Sequence, residues 1–332
     1  MGTNMKDVAK KAGVSTATVS HVINDTRFVK EETRKKVINA MEELDYYPNL
    51  AAKSLRSQKS KIIGLLVPDI SNFFFTRIAK VIEDIFKAKG YNLIVGNSDE
   101  NLESEKNQLD VFKAQMIDGL IMAPTGGRSK PYKIIKDDVF PTVYIDRRPK
   151  GYQGDFILLN NFKGAYDATT YLINKGHKNI GIITGVPGIS TTEERLKGYK
   201  VALRDNDIKP CKSLIKIGDS RFESGYKLTK ELVVKNNITA LFVTNNLMSI
   251  GAMEYLNKNG INIPKELAII GFDDYKWTTI TNPPLSVVKQ PVDKIGQKAT
   301  KLLLEKIINN NTKEKNTNVY QLSPELVVRK SC

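Results

Sequence analysis

The feature that most restricts the fold is a recurrence. From about residue 61 onward, apolar runs of strand length alternate with helical stretches: "KIIGLLVPD", "NLIVGNS", "DGLIMAP" and "PTVYIDR", then "NIGIITG", "TALFVTN" and "LAIIGFD". Such runs separated by helices predict parallel sheets covered by helices on both faces. The series falls into two halves whose strands end in polar residues or Gly, so two lobes are expected with a crevice at the strand carboxyl ends and a ligand between them.

A different pattern precedes this series. Met5 to Ala12 reads as a helix, Gly13 breaks it, and Ser15 stands as the N-cap of a second helix of about two turns. Val19, Val22 and Ile23 cluster on one side of that helix, while Thr16, Ala17, Ser20 and His21 fall on the other. A third helix is expected from about Glu31 to Leu44, with Val37, Ile38, Met41 and Leu44 as its apolar stripe and Glu31 and Glu32 near its positive end. Helix, tight turn, helix, with a free polar face and a third helix to complete the core, is an arrangement that reads DNA. After Tyr47-Pro48, "NLAAKSLRSQKSK" reads as a short helix-capable segment running into a linker, which puts a domain boundary near residue 60.

Composition narrows the function classes. At 332 residues, with 41% hydrophobic and 26% charged, the chain suits a small domain joined to a larger packed core. The net charge of +15 suits a polyanionic partner, but residues 1–60 hold 11 Lys/Arg against 7 Asp/Glu, so charge alone locates no nucleic-acid site. Cys211 and Cys332 form no disulfide or zinc pattern, no apolar run approaches membrane-spanning length, and no secretory segment follows the first Met. A cytoplasmic protein is expected. No G-x-G-x-x-G follows a strand, and no G-x-x-x-x-G-K-[ST] occurs. The two histidines, His21 and His177, lie on opposite sides of the boundary, and His177 reads as a turn residue. Neither a His-based metal cluster nor a Ser-His-Asp triad is readily assembled, so no enzyme, cofactor or metal is expected.

The stretch "MKDVAKKAGVSTATVSHVINDTRFVKEETRKKV" resembles the lactose repressor family, most closely its purine repressor branch. The resemblance continues through "YYPNLAAKSL", "IGLLVPD", "GLIMAP", "LINKGHKNIGIITG", "ERLKGY", "IIGFDD", "PPLSVVKQP" and "PELVVRKS", almost the whole chain. It implies an all-α helix-turn-helix domain over residues 1–48, a hinge helix and linker over 49–60, and an α/β two-lobed core resembling periplasmic binding proteins. The first lobe would span 61–161, completed by about 291–322, and the second 162–290, completed by about 323–332.

The resemblance also implies roles for residues. Thr16 and Ala17 would face base edges in the major groove, with Thr18, Ser20 and His21 adding base or phosphate contacts. Leu55 would wedge into the minor groove of an operator shared by a dimer, and Arg56 would reach a phosphate or base edge, while Lys53 stands where Arg is more common. In the crevice, Arg195, Asp273, Asn245 and Asp146 would hold the effector and Arg147 would add a positive charge. Asn246 stands where the family usually has Asp. Phe74 serves either as a stacking platform or as core, and Trp277 either caps the pocket or packs.

Where purine repressors place an arginine and a stacking aromatic, this chain has Ile189 and Ser220. An unpaired polar edge on a bound base costs roughly 1 to 3 kcal/mol. A sugar or sugar acid is therefore the expected effector, with Arg147 welcoming a carboxylate and a purine co-repressor as the alternative. The chain is expected to be a transcriptional repressor, a homodimer on a palindromic operator under allosteric control, with no heptad segment after "PELVVRKS" to make a tetramer. A solute-binding protein without regulatory function is the other reading.

Overall fold

The structure is a computed structural model that describes residues 3–47, 59–126, 135, 139–309 and 318–332. Two compact units divide the chain, Met1–Ser60 and Lys61–Cys332.

The first unit holds α1 (Met5–Ala12), α2 (Thr16–Asn24) and α3 (Glu31–Glu43). Local chemistry sets each boundary. The Asn4 side chain accepts from the Lys6 N–H and the Asp7 carboxylate accepts from the Asn4 N–H, a reciprocal cap on α1. Gly13, at φ 67°, adopts the left-handed conformation that ends the helix. Ser15 Oγ then accepts from the Thr18 N–H at 3.1 Å and starts α2. Val8, Ala9, Val19, Val22, Val37 and Ala40 form the core of the three helices. Ile38, expected in the apolar stripe of α3, is instead 40% exposed. It lies about 100° around the helix from Val37, and Ala40 takes the inward place, which matches the small core.

The second unit contains two six-stranded sheets. The first is built from β1 (Ile62–Val67), β2 (Asn92–Asn97), β3 (Gly119–Met122), β4 (Thr142–Ile145), β5 (Asp155–Leu159) and β11 (Asn318–Leu322), in the order β2-β1-β3-β4-β5-β11, every pairing parallel. The second comprises β6 (Ile180–Thr184), β7 (Ile215–Ile217), β8 (Ala240–Val243), β9 (Ala268–Phe272), β10 (Ser286–Lys289) and β12 (Glu325–Val327), ordered β7-β6-β8-β9-β10-β12. Only β12 runs antiparallel to its neighbour. The two orders are the same, so each strand of one lobe has a counterpart in the other.

Helices cover both faces. On the first sheet, α4 (Phe73–Lys87) and α11 (Val292–Asn309) pack Ile78, Ile82, Phe86, Ala299 and Leu303 against Ile63, Leu65, Ile121 and Val143. Leu66, Leu120, Met122 and Phe156 face the other way, toward Leu109 and Phe112 of α5 (Leu102–Ala114). On the second sheet, α6 (Asn161–Asn174) and α7 (Ser190–Asp205) cover Ile182, Phe242 and Ile270, while α8 (Phe222–Asn236) and α9 (Asn246–Lys258) cover Ile183, Leu241 and Ile269. The seven runs singled out in the sequence are all strands, and β5, β7, β10, β11 and β12 join them.

The chain passes between lobes three times. It crosses at Asn160, between β5 and α6; at Gln290-Pro291, between β10 and α11; and at Ser323-Pro324, between β11 and β12. The Asn160 N–H donates to the Leu322 carbonyl at 2.8 Å, tying the first crossing to the third.

Candidate functional site

In the helical unit, Thr16 and Ala17 of α2 are exposed. The polar residues behind them are held by bonds within the unit. Thr18 Oγ1 meets Ser15 Oγ at 2.9 Å, the Asn24 amide donates to the Ser20 carbonyl at 2.9 Å, and His21 Nδ1 pairs with Thr26 Oγ1 at 2.8 Å. An ion pair between Arg34 and Asp25 joins α3 to the end of α2. Of the five residues expected at this face, Thr16 and Ala17 are exposed and Thr18, Ser20 and His21 are half-buried. Phe28, which the sequence reading left unassigned, is 93% exposed in the connection between α2 and α3. Leu55 and Arg56, with Lys53, lie outside the described residues.

In the core, the carboxyl ends of the strands line a crevice of about 710 Å³, its open mouth included. Two aspartates hold equivalent places in the two sheets. Asp146 follows β4 at φ 66° and Asp273 follows β9 at φ 74°, both left-handed, and each N–H donates to the neighbouring strand, to Ile157 and Val288 respectively. A left-handed residue turns the chain out of the sheet and leaves its side chain at the strand end, where Asp tolerates the conformation better than most residues. Both are buried.

Arg195, on α7, reaches the same floor. Its Nε donates to Asn161 Oδ1 at 2.8 Å, its Nη1 donates to the Thr244 carbonyl at 2.6 Å, and its guanidinium lies 3.7 Å over the Phe272 ring. Burial pulls its pKa below the ordinary arginine value, against the attraction of Asp273 and Asp146. The Asp273 carboxyl is raised by burial, with Arg195, Gln290 and Asn246 pulling the other way. Gln290 Nε2 donates to Asp273 Oδ1 at 2.6 Å and Asn246 Nδ2 donates to Asp273 Oδ2 at 2.9 Å. Asn245 also lines the crevice. Its Oδ1 caps α9 through the Met248 N–H and its Nδ2 donates to the Ser220 carbonyl, both at 2.8 Å. Phe74 lies in the core, edge-on to Phe75 at 5.0 Å, and also lines the crevice wall.

Two expectations are corrected. Arg147 lines the crevice, but Glu100 accepts from both of its terminal nitrogens at 2.7 and 2.8 Å and Asp146 from its Nε at 3.2 Å. Burial alone would lower its pKa, and the Glu100 pair more than offsets that. Its charge is spent within the protein, so it is not a free counter-ion for a carboxylate. Trp277, on α10 (Lys276–Ile280), packs against the core of the second lobe and is absent from the crevice wall.

Ile189 and Ser220 both line the crevice, Ile189 almost fully buried at 4% exposure. Sequence reading passed over Asn72, Asp99, Glu100, Thr191, Thr192, Arg221 and Gln290, which line it too. The cross-lobe pair of Arg221 with Asp99, at 2.8 Å, joins residues 122 positions apart, which no local pattern signals. Six carboxylates and three guanidinium groups make up the ionic lining. No cluster of three or more His, Cys, Asp or Glu among the described residues could hold a metal ion, and no helix among them is long and apolar enough to cross a membrane.

A helix-turn-helix unit joined to a two-lobed core with a polar crevice defines a class, the ligand-responsive DNA-binding regulators, and comparison with known proteins bears this out. Residues 4–49 match the bacterial regulatory proteins of the lacI family, and residues 169–332 match a periplasmic binding protein-like domain. The chain is 36% identical to the HTH-type transcriptional regulator RegA of Clostridium saccharobutylicum, over 100% of this chain and 99% of that protein. It is also 36% identical to the HTH-type transcriptional repressor PurR of Pasteurella multocida, over 98% of each. The Lac repressor dimer, solved bound to operator and the anti-inducer ONPF, superposes with a TM-score of 0.82 at 26% identity, covering 100% of this chain and 99% of that one. The chain belongs to the lacI family of bacterial regulatory proteins. It is a DNA-binding transcriptional regulator and not an enzyme.

Proposed function

We propose that the protein is a repressor that binds a palindromic operator as a homodimer and answers to an uncharged sugar held in the crevice of its core. The ionic lining carries the effector class. Three guanidinium groups face six carboxylates, and of the three, Arg147 pairs with Glu100 and Asp146 and Arg221 with Asp99. An anionic ligand would enter an acidic crevice in which two of the three counter-charges are already taken and only Arg195 is outside an ion pair, so a sugar acid is disfavoured. A neutral polyol can donate hydroxyls to Asp273 and Asp146, accept from Arg195, and lay an apolar face on Phe74. Asn245 then shapes the wall between them.

Similarity to PurR favours a purine co-repressor as the second reading. The buried aliphatic Ile189 opposes it, since it offers no polar partner to a base edge. Isothermal titration of the full chain with neutral sugars, sugar acids and purines separates the readings. Binding of a neutral sugar is expected, together with a change in operator affinity when that sugar is present; tight binding of a purine alone would overturn the assignment. In the DNA-binding unit, Thr16 and Ala17 read base edges, with Thr18, Ser20 and His21 behind them, and the segment 49–60 serves as the hinge whose Leu55 and Arg56 meet the minor groove. The Lac repressor structure, a dimer bound to operator, supports this part of the reading.

A further inference from the structure

Side chains as well as backbone join the two lobes at the crevice. Asn246, the first residue of α9, is fully buried in the second lobe. Its Nδ2 donates to Asp273 Oδ2 at 2.9 Å and, across the crevice, to Asn72 Oδ1 at 2.8 Å. That Asn72 oxygen belongs to the first lobe, where it also accepts from the Phe74 N–H at 3.0 Å and caps α4. Asn246 Oδ1 finds no hydrogen-bond donor among the described residues. Chemistry fixes which way the amide points. Turned over, it would aim its oxygen at a carboxylate and at an amide oxygen, losing two hydrogen bonds for two repulsive contacts.

We propose that Asn246 is a positioning residue that tethers the lobes, coupling the carboxylate of Asp273 to the start of α4 on the opposite side of the crevice. The inference rests on the reading of that crevice as the effector site. Asp273 becomes a node. Its Oδ1 is held by Gln290, at a backbone crossing between the lobes, and its Oδ2 by the amide that reaches Asn72. A hydroxyl that binds Oδ2 competes with the Asn246 donation or reorients it, and either outcome is transmitted to Asn72 and the helix it caps. The coupling needs a neutral donor at position 246. An aspartate of the same size would place an acceptor between two acceptors.

Amide hydrogen exchange on the full-length protein tests this without any effector. The readout is the segment 186–192, whose Ile189, Thr191 and Thr192 line the crevice and which takes no part in the hydrogen bonds of Asn72 or Asn246. Asn246→Asp, which preserves volume, is expected to raise exchange there by about tenfold, as a weakened closure between lobes exposes it. Asn72→Ala should do the same from the opposite lobe, whereas Asn72→Asp, which keeps an acceptor oxygen for both the tether and the cap but adds a negative charge facing Asp273, should raise exchange clearly less than Asn72→Ala. Unchanged exchange in Asn246→Asp, or equal effects of Asn72→Ala and Asn72→Asp, would overturn the tether. Should Asn246→Asp fail to fold, the two Asn72 variants decide alone. The effector reading fails separately: if exchange follows this pattern while no neutral sugar binds in calorimetry, the tether stands and the sugar assignment falls.

Discussion

At the scale of single residues, Asp273 carries the most consequence. Burial raises its carboxyl above the ordinary aspartate value. Its protonated form cannot accept from a ligand hydroxyl as the carboxylate does. Affinity for the effector is therefore expected to fall on acidification, with a midpoint above the ordinary aspartate value, and Asp273→Asn should remove that step; titration of the bound sugar from neutral into acidic solution measures both. The stability contribution runs the opposite way. The folded chain holds this proton more tightly than the unfolded one, so the advantage is present below the ordinary aspartate pKa and is lost as pH rises through the raised folded value. Asp273 and Asp146 were legible in the sequence because each closes an apolar run. Arg147 was legible as a cationic crevice residue but not in its pairing, since Glu100 approaches from 47 positions away. Asn246 stood out only as an unusual residue, because its donations depend on a fold that brings Asn72 from 174 positions distant.

At the scale of elements, the closeness of the helix pairs on the second sheet depends on glycine. A Cβ on Gly251 of α9 would stand 2.2 Å from the Phe222 carbonyl of α8, one on Gly225 of α8 would stand 2.2 Å from the Met248 carbonyl, and one on Gly198 of α7 would stand 2.4 Å from the Phe162 carbonyl of α6. In each case the obstacle is backbone, which cannot rotate away. Gly251→Ala is expected to destabilise by about 1 to 3 kcal/mol, the usual cost of overpacking, and to lower the thermal midpoint followed by circular dichroism; an unchanged midpoint would mean that α8 and α9 can slide apart freely. These glycines carry no signature in the sequence, where a Gly inside a helix reads only as a weak position. The Gly13 break and the Ser15 cap did, because each acts on neighbours a few residues away. So did the seven apolar runs. Of the strands missed, β7 has only three residues, and β11 and β12 take their place by pairing with strands distant in sequence.

For the whole molecule, control requires that each site sense the other. If an effector weakens operator binding, the operator-bound protein must bind that effector more weakly by the same factor. Leu55→Ala, in the proposed hinge, is expected to reduce affinity for operator while leaving weak binding to random DNA largely intact, since an unstacking wedge contributes only where the duplex is bent. Competition assays with both DNAs measure the ratio, and an unchanged ratio removes Leu55 from that role. The division into a reader and a two-lobed core was legible because periodicity changes near residue 60. Less visible was that neither lobe is a continuous length of chain. Strand β11 completes the first sheet only after the second has been nearly built, and β12 then returns to the second. Heated in a calorimeter, residues 61–332 should therefore absorb heat in a single transition, because melting either lobe pulls a strand or a helix out of the other. Two sheets woven through three crossings stand or fall as one cooperative unit, free to flex at the seam and unable to come apart by halves.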